Sequence, residues 1–378
     1  MSTTGQDAPA PLRGMAGRRR ALGISQAELA RRCGVTRQFA NMVESGRTPP
    51  NVQVALRLAA ELRTTVEELF GARAEPAAEV ARVTLLEDAA PAPGRVNLAW
   101  AGRRWVGHRA DTAASLGGGF QEADAVVARD AGDAWRATVA RGKTLADMRH
   151  NIAIAGCDPA LALLADGRVG AGLPGHCFWV NCGSGRALQL LADGAVHIAG
   201  LHSGNGRSEE NLRELRRRDP RGRWRLVRFT QWEQGWMARP GVPGKFSGRE
   251  ILEARRLRLA NRERGSGSRG WIDGQLRALG MAGELVPGYG REFASHWECA
   301  RALLHDEADV AAGPRAVAEL AGLEFLPDNL VAFDLVIPCA LLGEPRVAAL
   351  LEELRARRLR GEIESLPGYR ADEAGRLV

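Results

Sequence analysis

The sequence has few cysteines and no apolar run long enough to cross a membrane. Its cysteines show no C-x-x-C spacing: Cys33, Cys157, Cys177, Cys182, Cys299 and Cys339. This scatter predicts reduced, mostly buried thiols rather than a disulfide framework. Residues 1–14 lack the hydrophobic region of a signal peptide, so we expect a cytoplasmic protein without membrane contact.

The cysteines, histidines and carboxylates do not have the spacing of a known catalytic or metal-binding motif. Cys157-Asp158, His176-Cys177 and His296-x-x-Cys299 place thiols beside carboxylates or imidazoles. No pair has a third ligand at structural-zinc spacing, and no base with an orienting partner can be identified. We therefore expect no catalytic residue, no metal site and no resident cofactor. The alternative is an enzyme, which turnover dependent on Cys157 or His296 would support.

The chain is long and basic, and its charge is unevenly placed. Its 378 residues predict two or three domains. The net charge is +7, and residues 1–73 hold 11 arginines against 6 acidic residues, a net +5. The remainder carries only +2. The excess positive charge lies at the amino end, as attraction to nucleic-acid phosphates would require.

The stretch Ser25–Gly46 predicts two short helices joined by a tight turn. Ser25 and Glu28 have capping-box spacing, and Gly34 permits the turn that ends the first helix. Thr36 is then the expected N-cap of a second helix, whose Ala40 and Val43 share an apolar face. Polar residues off that face are free to reach phosphates and base edges, as in a helix-turn-helix.

This region resembles the phage-repressor (Xre-type) helix-turn-helix family from about Arg18 to Phe70. The likeness rests on G-I-S-Q-A-E-L-A at 23–30, G-V-T-R-Q at 34–38, E-S-G-R-T-P-P at 44–50 and V-E-E-L-F at 66–70. It implies that Gln26 and Arg47 hold phosphates, while Phe39 packs inward or touches a thymine methyl. It also implies that four residues face the DNA groove: Thr36, Arg37, Gln38 and Asn41. A helical dimerisation module that does not bind DNA is the alternative.

Composition sets the expected domain boundaries. Residues 1–14 are expected to be a disordered leader, 15–71 the helical domain and 72–94 a linker with a short helix or strand near 80–86. Residues 95–149 predict a small β-containing connecting segment, with a hairpin formed by Val96–Trp100 and Arg104–His108.

From residue 150 onward, apolar strands alternate with helices. This alternation predicts α/β layers with a largely parallel sheet. Several strand-to-helix turns consist of Gly and Ser, and such turns present free N–H groups to a ligand at the sheet edge. The turns Gly265-Ser-Gly-Ser-Arg269, Cys182-Gly-Ser-Gly185 and Ala294-Ser-His296 are therefore expected to converge on a pocket.

This part of the chain is similar to the periplasmic-binding-protein-like domain that is often described as molybdate-binding and found fused to helix-turn-helix regulators. The motifs are A-G-C-D-P-A at 155–160, G-S-G-R-A-L at 183–188, L-A-D-G at 191–194, H-I-A-G-L-H at 197–202, E-Q-G at 233–235, N-R-E-R-G-S-G-S-R at 261–269, F-D-L-V-I-P at 333–338 and L-P-G-Y at 366–369. The resemblance implies a type II fold with lobe 1 at about 150–228 and 338–378 and lobe 2 at about 240–330. Hinge strands are implied near 226–230 and 330–337.

We expect the effector to bind between the lobes. The predicted ligand-binding residues are Asp158, Ser184, Ser266, Ser268, Arg269, Ser295 and His296. The resemblance implies molybdate, tungstate or another small anion. Asp158 precedes Pro159 and suits an N-cap, but a carboxylate facing the cleft would instead favour an amine or hydroxyl. The aromatic residues Trp271 and Trp297 raise the same alternative, an organic metabolite.

The predicted fold class is therefore multidomain: an all-α helix-turn-helix domain followed by an α/β two-lobed type II periplasmic-binding-protein-like domain. The predicted function is a one-component transcriptional regulator that binds a double-stranded DNA operator and senses a small molecule. A homodimer is expected, because one such head gains little specificity. A DNA-binding protein with an inactive cleft is a further alternative.

Overall fold

The computed structural model describes residues 15–45, 47–70, 78–86, 93–110, 122–165, 174–203, 208–242 and 248–378. The predicted leader at 1–14 and most of the predicted linker lie outside these ranges. The chain divides into two compact units, residues 1–77 and 78–378.

The N-terminal unit consists of short helices. They are α1 (Met15–Ala21), α2 (Gln26–Arg32), α3 (Arg37–Glu44), α4 (Val52–Glu61) and α5 (Val66–Phe70). Ser25, Thr36 and Asn51 cap α2, α3 and α4, each accepting from the N–H three residues on. The Glu28 carboxylate accepts from Arg31 and Arg32 rather than completing a capping box.

The first part of the second unit is a closed barrel of five strands. They are β1 (Val80–Leu85), β2 (Gly94–Ala101), β3 (Arg104–Arg109), β4 (Ala125–Arg129) and β5 (Trp135–Val139), followed by the short helix α6 (Leu145–Met148). The predicted hairpin is confirmed, since β2 and β3 pair antiparallel. The short element expected inside the linker is β1. It pairs with β3 and β5, so this stretch belongs to the barrel and the linker prediction is wrong there.

Buried hydrogen bonds join the barrel to the α/β domain. His197 accepts from the Ala153 N–H through Nδ1, so its Nε2–H donates to the Trp100 carbonyl at 3.1 Å. The Nε2 atom of His108 lies 3.0 Å from the carbonyl oxygen of Ala195. Burial lowers the pKa of His108 to about 4 and that of His197 to about 3, so both rings stay neutral at pH 7. The contact is therefore part of the folded core of this unit.

The α/β domain contains the remaining strands and helices. Its strands are β6 (Ile152–Gly156), β7 (Cys177–Asn181), β8 (Ile198–Leu201), β9 (Trp224–Ala238), β10 (Leu259–Arg262), β11 (Glu292–Phe293), β12 (Val310–Pro314), β13 (Glu324–Pro338) and β14 (Tyr369–Arg370). Its helices are α7 (Leu161–Ala165), α8 (Ser184–Ala192), α9 (Ser208–Arg218), α10 (Gly248–Glu253), α11 (Gly267–Ala278), α12 (His296–Leu304), α13 (Arg315–Leu320), α14 (Pro345–Arg355) and α15 (Arg357–Glu364).

The sheet order β11-β10-β12-β9-β13-β8-β6-β7 explains the two lobes. Strands β6, β7 and β8 are parallel in the first lobe, and β10, β11 and β12 are parallel in the second. The long strands β9 and β13 pair antiparallel with each other and run through both lobes. Separate apolar clusters fill the two faces of the sheet in each lobe. The predicted fold class, helix-turn-helix plus two-lobed α/β domain, is confirmed.

Candidate functional site

In the N-terminal unit, the second helix of the predicted pair presents a polar surface. Thr36, Arg37, Gln38 and Asn41 are all exposed, and so is Arg47. Ala40 and Val43 are buried beneath them. Phe39 is partly buried and packs against the helical core, which is the inward alternative.

Gln26 and Asn41 are held together rather than projecting separately. Gln26 donates to the Asn41 side chain at 3.2 Å and to the Glu44 carboxylate at 2.6 Å. Arg19 also donates to Glu44, whose side chain is only 7% exposed. This network fixes the starting positions of two of the residues predicted to contact DNA.

In the α/β domain, two Gly-Ser-Gly turns from opposite lobes face each other. The Gly185 N–H donates to the Gly265 carbonyl at 3.1 Å. A Cβ placed on Gly183 would lie 3.1 Å from Cβ of Ser266, and one on Gly267 would lie 2.0 Å from Nδ1 of His202. Glycine is needed here because the lobes touch backbone to backbone. Two of the three turns that were predicted to converge are therefore in contact with each other across the lobes.

The predicted serines in these turns mostly serve their own helices. Ser266 caps α11 by accepting from the Arg269 N–H, and Ser295 caps α12 by accepting from the Glu298 N–H. Ser184 accepts from the His202 N–H at 3.0 Å. A hydroxyl that accepts an N–H still has its own proton to donate, so these roles leave room for a ligand contact.

Asp158 and Arg269 are instead occupied by protein groups. Asp158 is fully buried and accepts from the Ala160 N–H, the Thr230 hydroxyl and the Tyr369 hydroxyl. Burial raises its pKa, and these three donors act in the opposite direction. The guanidinium of Arg269 contacts Asp273, the Arg262 carbonyl and Glu292, and it lies 4.0 Å from the centre of the Tyr289 ring. Both residues therefore have a structural role without any ligand.

A different set of polar atoms is buried in the two lobes and along β9 without hydrogen-bond partners among the described residues. The set comprises Nδ1 and Nε2 of His202, Nδ1 and Nε2 of His296, Nη1 of Arg262, Oγ of Ser268, Nε1 of Trp232, Oε1 of Gln234 and Nε1 of Trp236. We call these atoms the unpartnered cleft atoms. Buried polar atoms are normally satisfied, so a concentration of unsatisfied ones indicates a site for another molecule.

The unpartnered cleft atoms come from both lobes and from a strand that links them. His202 follows β8, Arg262 ends β10, and Ser268 and His296 open α11 and α12. Trp232, Gln234 and Trp236 alternate along β9 and therefore share one face. The Trp232 ring lies 5.2 Å from the His202 ring and 5.9 Å from the His296 ring.

Arg262 supplies the positive charge of the cleft. Its side chain is 1% exposed, and it donates to Glu263 and to the carbonyls of Phe293 and Ala294. These bonds use Nε and Nη2, which leaves Nη1 for a ligand. The N-termini of α11 and α12 add partial positive charge, since unpaired N–H groups concentrate there. The Glu263 carboxylate balances the Arg262 charge, so the unpartnered Nη1–H group and the two helix N-termini are the features that favour an anionic group.

Both cleft imidazoles are neutral at pH 7. Burial lowers the pKa of His202 to about 4, with the Arg262 charge adding to the shift. Burial also lowers the pKa of His296 well below its ordinary value, with Arg262 and His202 contributing, while the Ala312 carbonyl acts in the opposite direction.

The nearby thiols are not activated. Burial raises the pKa of Cys157 to about 12 and that of Cys299 to about 12. A thiol that stays protonated at neutral pH is a poor nucleophile. In the part of the chain that the structure describes, no three His, Cys, Asp or Glu side chains are grouped to hold a metal ion.

Comparison with known proteins assigns both regions to domain classes. Residues 16–69 match the family model described as helix-turn-helix, and residues 172–355 match the one described as PBP superfamily domain. The chain therefore joins a DNA-binding helix-turn-helix domain to a two-lobed domain of the substrate-binding type. Among the described helices, none is both long and apolar enough to cross a membrane.

The similar sequences match only part of this chain. The protein YvgK of Bacillus subtilis (strain 168), described as uncharacterized, is 27% identical over 153 residues, which are 40% of this chain and 49% of YvgK. The chain thus spans about half the length of that relative. A Clostridium pasteurianum protein, described as uncharacterized and encoded in the 5' region of a 2Fe-2S ferredoxin gene, is 28% identical over 108 residues. These are 28% of this chain and 96% of that protein.

The solved structures to which the chain is similar include a transport receptor and a full-length DNA complex. An ABC-type phosphate transport receptor from Vibrio cholerae is 13% identical, with a TM-score of 0.40, and the match covers 58% of this chain and 98% of the receptor. Full-length CbnR in complex with its target DNA is 15% identical, with a TM-score of 0.37, and the match covers 54% of this chain and 69% of that chain.

The residues missed by the sequence analysis are Arg262, His202, Trp232, Gln234 and Trp236. His202 and Arg262 stand at the carboxyl ends of parallel strands, which is where ligands bind in such sheets, so their position was a usable signal. The alternation of Trp232, Gln234 and Trp236 could also have been read as one face of a strand, but the hinge strand that the resemblance implied ends near residue 230.

Proposed function

We propose that this protein is a one-component transcriptional regulator whose interlobe cleft senses a small anionic molecule. The observation that supports this most is the set of unpartnered cleft atoms, enclosed between two lobes on a chain that also carries a helix-turn-helix. Groups left unsatisfied in the closed cleft would be satisfied by a ligand. Binding would then favour the closed form over an open one, because an open cleft offers fewer of these contacts.

The anionic character of the effector follows from Arg262 and the two helix N-termini. Ser268, the protons of Ser184, Ser266 and Ser295, and one N–H on His296 would donate further hydrogen bonds. Molybdate or tungstate, implied by the sequence resemblance, meets the charge requirement. An organic metabolite with an anionic group meets it as well.

The operator-binding part of the proposal concerns the exposed surface of α3. Arg37, Gln38 and Asn41 would contact base edges, and Gln26, Thr36 and Arg47 would contact phosphates or the groove edge. Asn and Gln side chains pair well with adenine, and arginine pairs with guanine. A regulator of this kind acts where the chromosome is, so a cytoplasmic location belongs to the proposal.

The test is DNA footprinting of the full chain on genomic fragments at physiological salt. We expect a protected sequence, and we expect Gln38→Ala with Asn41→Ala to reduce its affinity about 5- to 150-fold per lost contact. Gln53→Ala, an exposed change on α4, is the matched control and should leave the affinity unchanged. Binding without any sequence preference would contradict the proposal.

A second measurement tests the sensing function. The affinity for that protected sequence is compared with and without small molecules extracted from the native host cell lysate or supplied as molybdate. We expect the affinity to change in the wild type and to stay constant in Arg262→Gln, whose cleft lacks its cation. Equal affinity under all conditions would favour a DNA-binding protein with an inactive cleft.

A further inference from the structure

The unpartnered cleft atoms include hydrogen-bond acceptors as well as donors. Arg262, Trp232 and Trp236 can only donate, and the Ser268 hydroxyl can do both. The Gln234 Oε1 atom is an amide oxygen and can only accept, and the amide nitrogen of the same side chain donates to Oδ1 of Asn329 at 3.4 Å. Each neutral imidazole has one N–H and one lone pair, and neither nitrogen of His202 has a hydrogen-bond partner among the described residues.

Because the imidazoles are neutral, each has a ring nitrogen with a lone pair that can accept a hydrogen bond. The charged group that acts on both rings is Arg262, and His202 also acts on His296. Glu263, Cys157 and Cys299 act in turn on Arg262. The Arg262 cation opposes protonation of both rings. In the ligand-free protein, His202 therefore presents an acceptor at neutral pH.

A bare tetrahedral oxyanion can satisfy only the donors in this set. Molybdate and sulfate, when fully ionised, carry acceptors alone, so they would match Arg262, Ser268 and the N–H groups. They would leave the Gln234 oxygen and the imidazole lone pairs buried without a donor, unless the imidazoles took up protons. A buried acceptor without a partner is unfavourable.

We propose that the ligand of this cleft is an organic anion that also carries O–H or N–H donors, rather than a bare oxyanion. Its anionic group would meet Nη1 of Arg262, and its donors would meet Gln234 and an imidazole of His202 or His296. The indole ring of Trp232, which lies 5.2 Å from the His202 ring and 5.9 Å from the His296 ring, provides apolar surface for a carbon skeleton. This inference rests on the proposed ligand-sensing function of the same site.

The deciding experiment is calorimetric titration of the full chain with molybdate and with sulfate. It is run at pH 6.5 and pH 8.5, each in two buffers with different ionisation enthalpies, so that proton uptake is measured. We expect either no binding at both pH values, or binding that is at least about 10-fold weaker at pH 8.5 and accompanied by proton uptake. Binding of molybdate with equal affinity at both pH values and no proton uptake would overturn the proposal.

Variants identify the acceptors. If oxyanion binding is accompanied by proton uptake, His202→Phe should lower that uptake by about one proton per bound anion. His305→Phe, which changes an exposed imidazole, should leave the uptake unchanged. Gln234→Leu removes one unpaired acceptor and should strengthen oxyanion binding. This second variant keeps the proposal testable if His202→Phe does not fold.

A complementary measurement compares matched organic anions by thermal unfolding of the full chain. The pairs are succinate with malate, propionate with lactate and glutarate with glutamate, each differing by one donor-bearing group. In any pair that raises the Tm, we expect the donor-bearing member to raise it more, and we expect Gln234→Leu to reduce the difference. Equal shifts within such pairs would count against the proposal.

Neither measurement uses DNA, so the two proposals can fail separately. If the protein shows no sequence preference for DNA, the proposed function is wrong, and the proposed ligand class can still be correct. If the protein binds its operator and binds molybdate without proton uptake, the proposed function stands and the proposed ligand class is wrong.

Discussion

Asp334 shows how a single buried carboxylate sets the pH dependence of this protein. It lies at a register shift between β9 and β13 and accepts from Ser208 and Asn211 of α9, with Arg228 at 3.2 Å. Burial raises the pKa of Asp334 to about 6, although these partners favour the ionised form. Asn211 also accepts from Ser203, the neighbour of His202. The carboxylate thus supports the loop that carries a cleft imidazole.

We predict that Asp334→Asn reduces the pH dependence of stability. A folded-state pKa raised above the unfolded value stabilises the protein at low pH, and that contribution is lost as the pH rises from about 4 through about 6. Each pKa unit corresponds to about 1.4 kcal/mol. Between low and neutral pH, the free energy of unfolding of the wild type should therefore fall by about 3 kcal/mol more than that of the variant. Urea unfolding between pH 3.5 and 7.5 measures this.

The matched control for that measurement is Asp372→Asn, which changes an exposed carboxylate near the C-terminus. It should follow the wild-type curve. Parallel curves for Asp334→Asn and the wild type would show that Asp334 does not titrate in this range.

At the scale of secondary-structure elements, β9 and β13 determine how the lobes can be arranged. Each strand is 15 residues long and supplies residues to both lobes. They pair along most of their length, with a register shift between Pro327 and Asn329 beside Gly235. An irregularity of this kind bends a strand pair, so the pair is suited to act as the hinge.

Glycine at position 235 is required by backbone proximity. A Cβ at Gly235 would lie 1.9 Å from the Leu326 carbonyl oxygen, whereas one at Gly270 in α11 would meet nothing within 4 Å. We predict that Gly235→Ala destabilises the protein by about 3 kcal/mol or more, because backbone has to move. Gly270→Ala should instead stabilise it by up to about 1 kcal/mol through helix propensity. Denaturant unfolding of both variants tests this pair, and equal effects would contradict it.

The whole molecule is two units, each with its own core. The helix-turn-helix unit carries most of the net charge, and the larger unit contains the barrel, both lobes and the cleft. Because His108, His197 and Asn151 bond across the boundary between the barrel and the first lobe, we expect those two parts to move together. Closure would then displace the second lobe relative to both.

A homodimer is the arrangement in which this chain would gain operator specificity. One helix-turn-helix contacts few base pairs, and dimers of such heads bind half-sites about 34 Å apart. Sedimentation should therefore give about twice the chain mass of 40.7 kDa, and footprinting should show two protected segments one helical turn apart. A monomer bound to a single short segment would contradict this expectation.

Element-level prediction succeeded where the signal was local. Ser25 and Thr36 cap the helices that they were expected to cap, and the hairpin at 96–108 is present. The hinge strand implied near 226–230 extends from Trp224 to Ala238 in the structure. Its second half places Trp232, Gln234 and Trp236 on one face, and this period of two is a local signal of a strand.

The sequence by itself determined the helix-turn-helix, the alternation of strands and helices and the positions of the Gly-Ser turns, because caps, periodicity and glycine are local properties. Only the tertiary structure decided which polar side chains enter the cleft. Within N-R-E-R-G-S-G-S-R at 261–269, the side chain of Arg264 is 86% exposed, Arg269 is bound by Asp273 and Glu292, and Arg262 keeps a buried free N–H group. These three arginines are chemically identical. Their roles differ because strand direction and distant partners, unlike residue type, arise only when the chain folds.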